Sequence, residues 1–113
     1  MGKQLTWSEF ERVEMHVGVV ISAQEFPQAR KPAYILTVDF GSEMGVKKTS
    51  AQLTERYRPN DLIGRSVIGV TNFPPKQIGP IVSEFLILGA LDTETGTALL
   101  GVPGDVKPGT RIA

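Results

Sequence analysis

The most constraining stretch of this chain is the run from Val13 to Gln24. Val13, Met15, Val17, Val19, Ile21 and Ala23 are apolar and alternate with Glu14, His16, Gly18, Val20, Ser22 and Gln24. Side chains of an extended strand point to opposite faces in turn, so this period of two predicts a strand with one buried face. Twelve residues is long for a strand. Gly18 at its middle permits sharp coiling, so one strand can turn a corner and serve two parts of a rolled sheet. His16 is expected on the outer face, as a surface residue.

The rest of the chain supplies partners for that strand. Ala33–Phe40 reads as a second strand, with Tyr34, Leu36, Val38 and Phe40 on one face, and Val46–Ala51 as a shorter third. Val67–Val70 and Phe85–Leu88 are apolar runs too short and too β-branched for buried helices, and each is bounded by Gly, Pro or Asn. Gly41–Gly45 is expected as a turn and Asp92–Gly96 as a hairpin loop leading to a last strand, Thr97–Val102. The tail beyond it is punctuated by Pro103-Gly104 and Pro108-Gly109. Helical pieces are few. Thr6-Trp7-Ser8-Glu9 fits a capping box opening a short helix, Trp7–Arg12, with Trp7 and Phe10 on one face. Leu53–Tyr57 suits a helical turn or a strand end. Pro59 suits the first position of another short helix and Gly64 its stop. At 113 residues one domain spanning 1–113 is expected. Short strands with one or two helical turns predict an all-β chain: a five-stranded barrel of the oligonucleotide/oligosaccharide-binding (OB) type with a short N-terminal helix.

Composition closes off several chemistries. There is no cysteine, so no disulfide or thiolate metal site is possible, and one histidine argues against a His-based metal centre or triad. No phosphate-binding loop, zinc-protease helix or nucleophile elbow occurs. We therefore expect no enzyme activity, no metal and no cofactor. No apolar run reaches membrane-spanning length and the start of the chain has no leader pattern, so a cytoplasmic protein without membrane insertion is expected.

Twelve basic residues balance twelve acidic ones. Net charge thus gives no support to nucleic-acid binding, which must rest on local clustering. Basic residues do cluster: Arg30 with Lys31, Lys47 with Lys48, and Arg56 with Arg58. Between Val70 and Phe85 lies a connection stiffened by Pro74, Pro75, Gly79 and Pro80 and carrying Asn72, Lys76, Gln77 and Ser83. A stiff polar loop loses little freedom on binding, which suits recognition. In an OB barrel these segments border one face. That would gather Arg30, Lys31, Lys47, Lys48 and Lys76 around Asn72 and Ser83, with Glu84 as the acidic exception. Aromatic content is only 7%. Tyr57 and Phe73 are the candidates for stacking, and Phe73 is expected in a core or interface. Recognition of a folded RNA by shape and phosphate is therefore favoured over stacking along a strand. The surplus apolar residues Trp7, Phe10, Phe73, Ile78, Ile81 and Val82 would line a peptide groove or a dimer interface.

Phe10-Glu11-Arg12-Val13, Phe26–Tyr34, Lys47–Gln52 and Asn72–Pro80 with Ser83-Glu84 together resemble the CsaA proteins. These are export-related chaperones of the tRNA-binding-domain superfamily. Modules of that superfamily appended to tRNA synthetases typically carry Ser-x-Gly-Met where this chain has Ser83-Glu84-Phe85-Leu86, which favours the CsaA branch. The resemblance implies an OB-fold homodimer that binds tRNA and unfolded preproteins and is linked to protein export. It implies a dimer built from the N-terminal helix and the tail after Val102. It also adds Ser50 and Gln52 to the RNA-binding set.

Overall fold

The computed structural model describes residues 3–113. Along the chain run α1 (Trp7–Glu11), β1 (Met15–Glu25), β2 (Tyr34–Asp39), β3 (Val46–Ala51) and α2 (Pro59–Leu62). Then follow β4 (Ser66–Val70), β5 (Lys76–Ile78), β6 (Ile81–Ser83), β7 (Leu86–Ile87), β8 (Gly89–Ala90), β9 (Ala98–Leu99) and β10 (Arg111–Ile112). The main sheet has the order β3-β2-β1-β4-β7, antiparallel throughout, with β10 added to β1. It curls into a nearly closed five-stranded barrel, the OB-like all-β architecture expected from the strand pattern.

β1 is the spine. Its first part, Met15 to Val19, pairs with β4, and Val19 to Glu25 pairs with β2. The register slips between them: Val20 lies opposite Val38, but Ser22 lies opposite Thr37, so Ile21 is an extra, bulged residue. The bulge inverts the expected alternation. Val20, expected on the outer face, is fully buried, whereas Ile21, expected inside, is 48% exposed. Beyond the bulge Ala23 packs on the core again. A β-bulge bends and twists its strand, which is how one strand turns the barrel's corner.

β2 alternates as expected: Tyr34, Leu36 and Val38 are buried and the intervening residues less so. With Val20, Phe40, Leu53, Leu62, Val67 and Phe85 they form the core. Each such side chain removed from water contributes roughly 1.5–3 kcal/mol. Phe40 and Phe85 meet edge to face, with ring centroids 4.9 Å apart and planes at 83°. Space for the rings comes from missing side chains. A Cβ on Gly69 would stand 2.8 Å from the Phe85 ring and 2.9 Å from that of Phe40, and one on Gly18 would strike Phe40 and Val38.

The barrel's last seam, between β3 and the β6–β7 junction, is closed mainly by one residue. The Glu84 N–H donates to the Lys48 carbonyl (2.8 Å), and the Lys48 N–H donates back to the Glu84 carboxylate (2.9 Å). One side chain thus stands in for a ladder carbonyl. Beside it the buried Thr49 hydroxyl donates to the Phe85 carbonyl (2.9 Å).

The helical pieces follow their local signals. Thr6 and Glu9 form the reciprocal capping box. α2 starts at Pro59, and the chain leaves it through Gly64, whose φ of +86° favours glycine. Leu53–Tyr57 is a helical turn, with the Tyr57 N–H bonded to the Leu53 carbonyl. Three strand expectations need correction. The connection from Thr71 to Glu84 is not all loop: β5 and β6 pair as a hairpin around Gly79-Pro80. The strand expected at Thr97–Val102 shortens to β9, because Gly101 sits against the Ser66 carbonyl and Pro103 follows. The C-terminal tail contains β10, which pairs Met15 with Ile112 and His16 with Arg111.

Candidate nucleic-acid interface

The β5–β6 hairpin leans on β3 and leaves a groove of about 560 Å³ beside it. Phe73, Pro74 and Pro75 form one wall, Ile78 and Leu86 contribute apolar surface, and Phe85 reaches it from the core. Thr49 and Ser83 meet there, with their hydroxyl oxygens 2.8 Å apart. Lys76 and Ser50 also line the groove. A second hollow, of about 360 Å³, lies between the loop after β1 and the end of β3 and is lined by Ala29, Arg30, Lys31, Ala33, Ser50, Gln52 and Ile78. Ser50 and Ile78 line both, so the two hollows adjoin.

Of the residues expected to bind RNA, the structure therefore brings together Arg30, Lys31, Ser50, Gln52, Lys76 and Ser83. Arg30, Lys31, Gln52 and Lys76 are exposed, and Ser50 and Ser83 are half-buried. Among the described residues no carboxylate lines either hollow.

Two groups do not join as expected. Lys47 and Lys48 are neighbours on a strand, so they point to opposite faces. Lys48 is exposed on the face of Ser50. Lys47 is half-buried and shares the face of the buried Thr49 and Ala51. They are not one basic patch. Asn72 is engaged elsewhere: its Oδ1 accepts from the Glu14 N–H (3.0 Å), and its Nδ2 donates to the Arg12 carbonyl (2.6 Å). Its amide latches the segment between α1 and β1 to the connection after β4.

The apolar candidates fall into separate places. Trp7 is 85% exposed on α1, where it lines a shallow hollow of about 300 Å³ with Leu5, Thr6 and Phe10. Phe73, expected in a core or interface, is 54% exposed on the groove wall. On the hairpin, Ile78 lies opposite Ile81, and Lys76 opposite Ser83, all on one face. Val82 pairs with Gln77 on the other face. Tyr57 is buried, and its hydroxyl accepts from the Leu99 N–H, so it is not available for stacking. His16, expected on the surface, is half-buried, with Nδ1 2.9 Å from the Thr71 hydroxyl.

Sequence reasoning missed Thr49, Pro74 and Pro75 as groove residues and Glu84 as the seam. Thr49 alone carried a signal: alternation in β3 places it on the buried face, where a polar side chain is uncommon and needs a partner.

Residues 15–111 match the family model whose description reads "Putative tRNA binding domain". The chain belongs to the tRNA-binding domain family. Members of this family occur within much longer proteins. The chain is 32% identical over 110 residues to the methionine–tRNA ligase of Methanocaldococcus jannaschii, a match covering 97% of this chain and 16% of the ligase. The chain spans about a sixth of the length of the curated relatives it matches. Solved structures match end to end. The chaperone CsaA of Bacillus anthracis superposes with a TM-score of 0.91 at 40% identity, covering 98% of this chain and 100% of that one. The CsaA chaperone protein of Picrophilus torridus gives 0.91 at 42% identity, covering 97% and 100%. The resemblance to CsaA first seen in short motifs thus extends over the whole fold, and the family is a binding domain rather than a catalytic one. Among the described residues no helix is long and apolar enough to cross a membrane.

Proposed function

We propose that this chain is a CsaA-type RNA-binding module, a single domain, that takes tRNA on the face shared by the loop after β1, the outer side of β3 and the β5–β6 hairpin. The observation that carries this reading is the meeting of Arg30, Lys31 and Lys76 around Ser50 and Ile78, with no carboxylate among the described lining residues. On a chain of zero net charge, such a face concentrates positive potential where whole-molecule charge supplies none. Phosphates seated there release counterions, so affinity falls with salt by about 0.7–0.9 logarithmic units per contact. Gln52 and Ser50 add hydrogen bonds to phosphate or sugar, which position the RNA. Lys48 borders the same face; Lys47 and Asn72 are left out of it.

The active form is a homodimer in the cytoplasm that joins tRNA binding to protein export. The exposed Leu5 and Trp7 beside α1 support a dimer contact there, and the β10 edge supports a contribution from the tail. Two copies would present two faces to one folded RNA and bind it bivalently. A second reading is a chaperone holding unfolded preproteins, supported by the apolar wall of Phe73, Pro74 and Pro75 with Leu86.

The deciding experiment measures tRNA affinity across a salt series while recording mass in solution. The expected result is a dimer binding with a slope of several units, lowered by Lys76→Ala and by Arg30→Ala with Lys31→Ala. Slopes unchanged in both variants would place the RNA elsewhere, and no binding at low salt would leave the peptide reading.

A further inference from the structure

We infer that the groove beside the hairpin captures one unpaired base of the bound RNA, holding it against Phe73 while the adjoining phosphate rests on Arg30 and Lys31. This rests on the RNA reading and adds a local contact to recognition by shape and charge.

The groove has the size and build for a small planar group. Its volume of about 560 Å³ falls within the roughly 300–1,000 Å³ of small-ligand sites. Pro74 and Pro75 hold its wall without rotamer freedom, so the slot stays open. Phe73 presents its ring at that wall, 54% exposed. Base–aromatic stacking accepts any base, because every base has a π face.

The polar groups also fit a base. Thr49 Oγ1 and Ser83 Oγ lie 2.8 Å apart, and Thr49 also reaches the Phe85 carbonyl at 2.9 Å. When Thr49 donates to that carbonyl, Ser83 donates to Thr49 and keeps lone pairs for an incoming donor. A base edge carries amino or imino donors, which those lone pairs can accept.

Charge selects between the two occupants that an apolar groove could take. Lys76 lines the groove, and Arg30 and Lys31 line the hollow next to it. A phosphodiester brings a negative charge to those cations. The leader of an exported protein instead carries a positive segment ahead of its apolar one, which these cations repel. A paired base is stacked inside its helix and cannot enter, so the occupant comes from a loop, bulge or end. One base is captured rather than a run, because Phe73 is the one exposed aromatic among the described residues that line the two hollows.

The test uses the purified full chain and two RNA hairpins of equal length, one with a fluorescent purine analogue in an unpaired loop and one with it in the stem. Wild type should quench the loop analogue and leave the stem analogue unchanged. Phe73→Ala should weaken binding of the loop RNA by roughly 5- to 150-fold and abolish quenching, with the salt slope retained. Phe73→Tyr should restore both. Because Phe73 is exposed, a melting curve matching wild type is expected and is recorded with each variant.

Full-strength binding and quenching by Phe73→Ala would overturn the inference while an intact salt slope left the phosphate face standing. Equal quenching of the paired and unpaired analogues by wild type would do the same. Absence of RNA binding by wild type would overturn both readings. Displacement of the loop RNA by an unfolded peptide that itself needs Phe73 would assign the groove to peptides and overturn the inference.

Discussion

Gly69→Ala tests how closely the barrel core and the groove are joined. The new methyl carbon would stand 2.8 Å from one carbon of the Phe85 ring, with two Phe40 ring carbons at 2.9 and 3.2 Å. Carbon atoms pack best at about 3.5–4.0 Å, so the rings must retreat by about 0.7 Å. They cannot do so independently, since they pack edge to face with 4.9 Å between centroids. Overpacking of this kind costs about 1–3 kcal/mol. Replacing a strand glycine by alanine returns about 0.5–1 kcal/mol by restricting the unfolded chain. With both taken near their midpoints, about 2 and about 0.75 kcal/mol, the net loss is about 1.25 kcal/mol, which at about 4 °C per kcal/mol lowers Tm by about 5 °C. Phe85 also lines the groove, so its displacement should weaken any ligand held there. Calorimetry of wild type, Gly69→Ala, Phe85→Leu and the double variant checks this. The cost of Gly69→Ala should shrink by at least about 0.5 kcal/mol when Phe85 is already leucine. An unchanged or raised Tm for Gly69→Ala, or a cost equal in both backgrounds, would refute the packing argument.

Other variants separate roles that the fold has put side by side. Asn72→Ala breaks the latch to Arg12 and Glu14 and should cost about 1–2 kcal/mol in chemical denaturation, with the salt slope of RNA binding unchanged. A lowered slope would return Asn72 to the RNA face. Glu84→Ala removes the acceptor for the Lys48 N–H and should destabilise by about 1 kcal/mol. Glu84→Gln keeps an acceptor and should be near neutral. Both remove a negative charge beside the proposed face and should tighten RNA binding at low salt, so equal affinity in all three proteins would place the RNA away from this seam. One source of acid sensitivity lies in the 92–96 turn. The Glu94 N–H, then the Thr95 hydroxyl and N–H, hold the Asp92 carboxyl below the ordinary carboxylate range, with Arg56 adding a smaller pull. A depressed folded value gives stability that is present above the ordinary range and lost as pH falls below it. Asp92→Asn should therefore reduce the fall in Tm seen on acidifying to about pH 3, and an identical fall would remove Asp92 from the account.

What could be read from the sequence was set by how local each signal is. The capping box at Thr6, the Pro59 start, the Gly64 stop and the alternation of Tyr34, Leu36 and Val38 all act within a few residues. All appear in the structure. The bulge was hidden because Val19, Val20 and Ile21 are all apolar and no residue marks which is extra. The hairpin was hidden by its prolines, which lie before and between the short strands. β10 is only two residues long and exists because β1 offers it an edge. At the proposed face, the barrel brings Arg30, Lys31 and Lys76 to two adjoining hollows, as the borders of an OB barrel imply. The hydrogen-bond partners of Asn72 lie 58 and 60 residues away, so no local signal marks them. Lys47 and Lys48 are adjacent in sequence, but a strand turns neighbouring side chains to opposite faces, so adjacency does not make them one patch.

The Glu84 seam is held mainly by side chains where the rest of the barrel relies on backbone pairing. Elsewhere the main sheet is joined by backbone ladder bonds, but here the amide and carboxylate of Glu84 and the hydroxyl of Thr49 hold the two shores together. Local opening follows the path of fewest buried bonds, so hydrogen exchange should strike the Lys48 amide well before those of Leu36 or Val38. The groove lies along that same line, with Thr49 and Ser50 on one shore and Ser83, Phe85 and Leu86 on the other. A molecule seated there would suture the shores, and its arrival would be visible as slowed exchange at Lys48 and Glu84 even if no strand moved.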